Sequence, residues 1–273
     1  MKSREISLEA IETVARTAIA EAGDLIRQNL GTITFAHVHA KAPFDYVTAV
    51  DKAAETLIMD RVRTRFPDHA IVSEETPNDG LQDGISWVID PLDGTANLIH
   101  CFPFVAVSIA ICQDRTPILG LVLDPLRQEL FSARRGKGAY LNGNPLHVSQ
   151  PGALKETLIA TGFPHRTRDL LEPYLDAFRR IFLEVSGIRR AGAAALDLAY
   201  LAAGRVDGFW EAGLKAWDIA AGSLLVTEAG GMISDFWGTN DYLGNGHIIG
   251  GTSLVYPFLL EQVQKSLAPA LVA

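Results

Sequence analysis

Four apolar runs follow one another between Val105 and Leu141 with very little chain between them, and this crowding restricts the fold more than any other feature. The runs are Val105–Cys112, Ile118–Leu123, Leu130–Ala133 and Ala139–Leu141. Gln113–Pro117, Asp124-Pro125 and Gly136-Lys137-Gly138 connect them and Asn142-Gly143 closes the series, all strong turn signals. A crossover to a parallel neighbour needs a dozen or more residues, so the spacing predicts hairpins and an antiparallel meander. Two shorter runs, Ile71-Val72 and Trp87-Val88-Ile89, precede it. Upstream, Ile11, Val14, Ala18, Ala22, Leu25, Ile26 and Leu30 recur at helical spacing. After the polar stretch Thr34–Pro43, Ala53, Leu57, Ile58, Val62 and Phe66 do the same before Pro67.

From about Gln150 the pattern becomes an alternation. Strands are predicted at Thr157–Ala160, Val206–Trp210, Met232–Ser234 and His247–Ile249, and helices at Leu170–Glu184, Ala193–Ala203, Ile219–Ala229 and Val255–Leu267. The fold class is α+β followed by α/β, with helices layered around two sheets. The expected units are residues 1–150, with the meander, and 151–273, closely packed because no flexible linker separates them.

With 273 residues, 48% hydrophobic and 21% charged, the chain can bury a large core without disulfides. A net charge of −8 gives no overall attraction to nucleic acid or an anionic membrane, although a local basic patch stays open. Cys101 and Cys112 sit in apolar surroundings and read as buried free thiols of a reducing compartment. The first helix is amphipathic, unlike a secretory leader, and Phe102–Cys112 is about half of the ~20 residues a membrane span needs. A cytoplasmic protein is expected.

The chemistry concentrates in Trp87–Asn97. An apolar run delivers Asp90 to a strand end, Pro91 is expected to stop the ladder, and Asp93 follows at the turn. Two close carboxylates repel each other unless a hard divalent metal or a shared proton sits between them; the plainer alternative is a tight Asp93-Gly94 turn with Asp90 as a cap. Gly94 admits close backbone approach, and a helix starting near Thr95 would aim free N–H groups at an anion. Glu74-Glu75 stands at another strand end, as metal ligands or a solvated acidic loop. Asp218 opens an Ala-rich helix, where capping alone would explain it.

Taken together, Glu74-Glu75, the run from Asp90 to Asn97 and Trp217-Asp218-Ile219-Ala220-Ala221-Gly222 resemble the metal-binding signatures of the inositol monophosphatase family. Asp45–Asp51, Gly136–Gly143, Arg190 and Gly192–Asp197 match it further, so the similarity runs from about Lys41 to Ile249. The resemblance implies a layered αβαβα sandwich, usually a homodimer, that acts as a Mg²⁺-dependent, lithium-sensitive phosphomonoesterase.

By the same resemblance, Glu74, Asp90 and the Leu92 carbonyl hold a first metal. Asp90, Asp93 and Asp218 hold a second, and Glu74 helps with a weaker third. All-oxygen ligation suits Mg²⁺ or Mn²⁺ and disfavours zinc. A metal-activated water is the implied nucleophile, with Glu74 and the Thr95 hydroxyl, oriented by Asp51, relaying its proton. The N–H groups of Gly94 and Thr95 hold the phosphoryl oxygens. Asp93, Glu211 and the backbone at Gly192, Ala193 and Ala194 meet the polyol, and Lys41 adds charge over the site. Glu211 is otherwise a loop carboxylate at a strand end and Lys41 an exposed lysine. His37 and His39, one residue apart without a partner cysteine, read as surface histidines.

The segments Gly187–Arg190 and Trp210–Lys215 look most like the bacterial extragenic-suppressor type of the family, which implies myo-inositol monophosphate as substrate. Relatives with the same metal core take histidinol phosphate, fructose 1,6-bisphosphate, NADP or 3′-phosphoadenosine phosphates. Others act as binding proteins in transcription antitermination complexes, a role for which the sequence supplies no basic tail.

Overall fold

The computed structural model describes residues 7–32, 39–42, 45–76, 80–164 and 168–271. Helix α1 (Leu8–Asn29) starts where the Ser7 side chain accepts a hydrogen bond from Ala10 N. A short antiparallel ribbon, β1 (His39–Ala42) and β2 (Asp45–Val47), leads into α2 (Ala49–Arg65). The start of α2 is doubly fastened: Val50 N donates to the Thr48 hydroxyl at 3.1 Å and Thr48 N to Asp51 Oδ2 at 2.8 Å.

The first sheet has seven strands lying in chain order: β3 (Ala70–Ser73), β4 (Ile85–Asp93), β5 (Ala106–Gln113), β6 (Thr116–Asp124), β7 (Glu129–Arg134), β8 (Ala139–Leu141) and β9 (Asn144–Leu146). From β4 onward each neighbour is antiparallel, as the turn spacing predicts, while β3 is a parallel edge strand. Pro91 does not end the ladder. Asp90 faces Ser108, the register then shifts, and pairing resumes at Asp93 with Ala106. The missing proline N–H falls in a bulge, where the ladder does not require it. The short helix α3 (Thr95–Ile99) follows.

The second sheet contains β10 (Leu158–Thr161), β11 (Gly187–Arg189), β12 (Gly208–Glu211), β13 (Met232–Ser234) and β14 (Ile248–Gly251), in the order β11-β10-β12-β14-β13. It is mixed, with β10 parallel to β11 and β12, and β14 antiparallel to β12 and β13. Its helices are α4 (Leu171–Phe182), α5 (Ala194–Ala202), α6 (Ala216–Glu228), α7 (Tyr242–Asn245) and α8 (Val255–Leu271).

Three apolar cores define the layers. Trp87, Ile89, Val107, Ile109 and Leu121 bury one face of the first sheet under α1 and α2. Their strand neighbours Val88, Ala110, Cys112 and Val122 face the other way, into a core shared with α5, α6 and the inner face of the second sheet. Ile159, Trp210 and Ile249 cover the outer face of that sheet with α4 and α8. The result is the layered αβαβα sandwich. Asp90 lies two residues from Val88 and so shares the inward face, which places the site between the sheets.

The strands absent from the sequence-based reading (β1, β2, β9 and β11) span three or four residues each, too few for a period to show. Cys112 is buried and burial pushes its thiol up to about 12, but Cys101 is exposed, contrary to expectation. It follows α3 at φ +54°, in a turn that also exposes Phe102. Among the described residues no helix is long and apolar enough to cross a membrane.

Candidate active site

Six element ends converge on one cavity of about 350 Å³, those of β3, β4 and β12 and the starts of α3, α5 and α6. Glu74 follows β3 and donates its N–H to Ile89 O at 3.3 Å, which fixes the end of β3 beside β4. The bulged end of β4 carries Asp90, Leu92 and Asp93. Gly94 then turns the chain at φ +92°, where a Cβ would stand 3.0 Å from Phe104 O, and Thr95 begins α3. From the second half of the chain come the starts of α5 and α6. Ala195 N donates to Asp93 Oδ2 at 2.7 Å, and Lys215 N donates to Asp218 Oδ2 at 2.7 Å. Capping thus accounts for one oxygen of each carboxylate. Asn97 joins the two halves, donating to Phe104 O at 2.7 Å and Ala191 O at 2.9 Å.

Five carboxylates line the cavity, those of Glu74, Asp90, Asp93, Glu211 and Asp218, and Arg190 is the single cationic side chain among its described lining residues. Burial, then the charges of Glu74, Asp93 and Asp218, hold the Asp90 carboxyl well above the usual carboxylate range. Burial and then Asp218 do the same to Asp93. Asp197, buried in α5, is raised by burial first, then by Glu211 and Asp93, with Arg190 pulling the other way. Such a cluster is costly without cations or protons, and carboxylates with a main-chain carbonyl are the donors a hard divalent ion prefers. The donor chemistry fits Mg²⁺ or Mn²⁺. Among the described residues no three His, Cys, Asp or Glu side chains stand at ligating spacing.

Beside the carboxylates, Thr95 Oγ1 donates to Asp51 Oδ1 at 2.6 Å and lies 3.3 Å from Leu92 O. Burial pushes the Asp51 carboxyl up, against hydrogen bonds from Thr48 and Thr95.

Of the residues singled out from the sequence, Glu74, Asp90, Leu92, Asp93, Gly94, Thr95, Gly192, Ala194, Glu211 and Asp218 line the cavity. Asp51 lies behind Thr95. Ala193 is buried, 1% exposed, under Gly94. Lys41 and His39 lie on β1 with side chains outside the described residues, as His37 is altogether. Glu55 and Leu214 contribute as well, outside the set read from the sequence. Glu55, buried on α2, accepts from Glu75 N and Thr76 N at 3.1 Å and so holds the loop that presents Glu74; in the sequence it is one more polar residue of a helix. Leu214 supplies an apolar wall, its only signal being its place between Glu211 and Asp218.

Comparison with known proteins gives a consistent picture. A family model described as the inositol monophosphatase family matches residues 7–268. The Nus factor SuhB of Pseudomonas aeruginosa is 47% identical over 269 residues, covering 97% of this chain and 99% of that protein. An inositol-1-monophosphatase of Mesorhizobium japonicum is 41% identical, covering 95% and 98%. The crystal structure of the extragenic suppressor protein suhB from Bartonella henselae superposes with a TM-score of 0.88 at 40% identity, covering 94% and 99%.

Proposed function

Because the chain belongs to the inositol monophosphatase family, we propose that it is a Mg²⁺-dependent, lithium-sensitive phosphomonoesterase that hydrolyses myo-inositol monophosphate to inositol and phosphate. The observation that carries this reading is the convergence of five carboxylates on one cavity of a −8 protein, next to the Thr95–Asp51 pair. Glu74, Asp90, the Leu92 carbonyl, Asp93 and Asp218 would hold two or three Mg²⁺ ions, with Mn²⁺ as a substitute. When bound, the ions supply the positive charge that admits a phosphate dianion and the polarisation that makes water acidic.

The remaining work belongs to the chain. Since the Thr95 hydroxyl spends its hydrogen on Asp51, its oxygen is left to accept one from the attacking water. The raised Asp51 carboxyl is then suited to take the proton passed through Thr95. Glu74 shares that role. The Gly94 and Thr95 N–H groups hold phosphoryl oxygens, while Asp93, Glu211 and the backbone of Gly192–Ala194 orient the polyol. Lys41 would add positive charge over the site. A homodimer in the cytoplasm completes the reading.

Phosphate release from inositol 1-phosphate, histidinol phosphate, fructose 1,6-bisphosphate, NADP and a 3′-phosphoadenosine phosphate, with Mg²⁺, with EDTA and with Mg²⁺ plus lithium, tests it. Mg²⁺-dependent, lithium-inhibited release with inositol 1-phosphate preferred is expected. Preference for another ester moves the substrate and keeps the site, whereas release in EDTA refutes the chemistry.

The names of the relatives favour a second reading, an added binding role in a transcription antitermination complex. A pull-down against RNA polymerase and its elongation factors tests it, and no retained partner counts against it.

A further inference from the structure

Past Glu211 the β12–β14 ladder continues in altered form. Trp210 faces Ile249 and Glu211 faces Ile248. Beyond them Leu214 N donates to Gly246 O at 2.9 Å, and Gly213 N donates to Nδ1 of His247 at 3.2 Å. An imidazole nitrogen thus does what a main-chain carbonyl does elsewhere in a ladder, and it does so on the turn that carries Glu211 into Leu214, both of which line the cavity.

His247 is itself held from three sides. Its N–H donates to Asn245 Oδ1 at 2.9 Å, Asn245 Nδ2 donates to Asp235 Oδ2 at 2.9 Å, and Asp235 Oδ1 accepts from Trp237 N and Thr239 N. The ring stacks on buried Phe236 at 5.2 Å and meets Trp237 at 5.8 Å. Gly246, at φ +75°, lets the loop come in so closely that a Cβ there would stand 2.1 Å from Leu214 O. A backbone N–H can only donate, so Nδ1 carries the lone pair and the ring is neutral with its hydrogen on Nε2. Burial favours that form, holding the imidazole below its ordinary pKa against the pull of Asp235.

We propose that His247 is a positioning residue for the substrate side of the cavity: its Nδ1 fixes the 211–214 turn and thereby the place of Glu211 against the polyol part of the ester. The inference rests on the phosphomonoesterase reading for its kinetic consequence but not for its structural one.

Two variants of the full chain test it, His247→Ala, which removes the acceptor, and His247→Asn, whose Oδ1 falls where Nδ1 stood. With Mg²⁺ and inositol 1-phosphate, His247→Ala is expected to raise KM roughly 3- to 10-fold with kcat within about 2-fold, the size of one lost hydrogen bond felt in binding. Without substrate, amide hydrogen exchange is expected to quicken at Gly213 and its neighbours alone, and His247→Asn to restore both readouts. Wild-type exchange at Gly213 in His247→Ala overturns the proposal, as does an Asn variant that behaves like Ala, or exchange that rises throughout the chain. If the wild type releases phosphate from no ester, the functional reading fails separately, and exchange at Gly213 in the three proteins still decides the role of His247.

Discussion

The Thr95–Asp51 hydrogen bond separates two jobs that one hydroxyl could do. If Thr95 serves as an oriented proton acceptor, Thr95→Ser keeps the hydroxyl and most of kcat, while Thr95→Ala lowers kcat by roughly 100-fold, the ordinary reach of general acid–base help, with little change in KM. Steady-state kinetics on both variants settles this; equal losses would mean that the methyl group matters and the hydroxyl does not. Asp93→Asn and Asp218→Asn are each expected to remove most turnover while leaving thermal unfolding close to wild type, since an amide oxygen still accepts from Ala195 N or Lys215 N. If the two carboxylates serve one site, the double variant is little worse than either single one; multiplying losses would refute sharing. Asp93 stood out in the sequence because it follows Asp90 at the end of an apolar run, whereas Asp218, which capping alone would explain, stood out only through the motif it shares with the family. Asp197 and His247 did not. A lone acid in an Ala-Leu helix looks like any helix residue, and the bond that gives His247 meaning goes to a main-chain N–H 34 residues away.

Among elements, the loop after β3 depends on α2. Glu55 receives two loop amides and, through Oε2, the Thr76 hydroxyl at 2.9 Å, so Glu55→Ala should leave Glu74 badly aimed without opening a core. The expected outcome is a Mg²⁺ requirement raised about 10-fold, as for other residues that orient ligands, with saturating activity largely kept. Titrating activity against Mg²⁺ checks it, and an unchanged requirement removes Glu55 from the account. The meander from β5 to β8 was readable because its turns leave no room for crossovers. The parallel β3 was not, since Ile71-Val72 is too short to declare a partner. Pro91 misled for a local reason: its lack of an N–H is harmless at the bulge where β4 gives up one pairing and resumes at Asp93.

For the molecule as a whole, the raised carboxyls couple stability to pH. Asp90, Asp93 and Asp197 bind protons more tightly folded than unfolded, so their contribution to the metal-free protein is fullest below the ordinary carboxylate pKa. It is lost as pH climbs from there toward the raised folded values. If divalent cations are held at Asp90 and Asp93 as proposed, they replace the protons there. The Tm gained on exchanging EDTA for Mg²⁺ is therefore expected to be larger at pH 8 than at pH 5, and an equal or reversed difference would contradict it. The alternation of helix and strand after Gln150 made the layered class legible. It did not say which helices lie in the middle; the composition of α5 and α6, apolar on nearly every side, fits a layer covered on both faces.

That middle layer has a consequence during synthesis. The inward face of the first sheet, with Val88, Val122 and Phe131, is complete when β9 leaves the ribosome, yet the helices that cover it end only at Glu228. Roughly 80 further residues must be translated, which at ordinary ribosomal rates takes on the order of 4 to 16 s. For that interval the strands exist without the helices that cover them, so the hazard of aggregation during synthesis follows from the order of the elements along the chain and not from the stability of the finished fold.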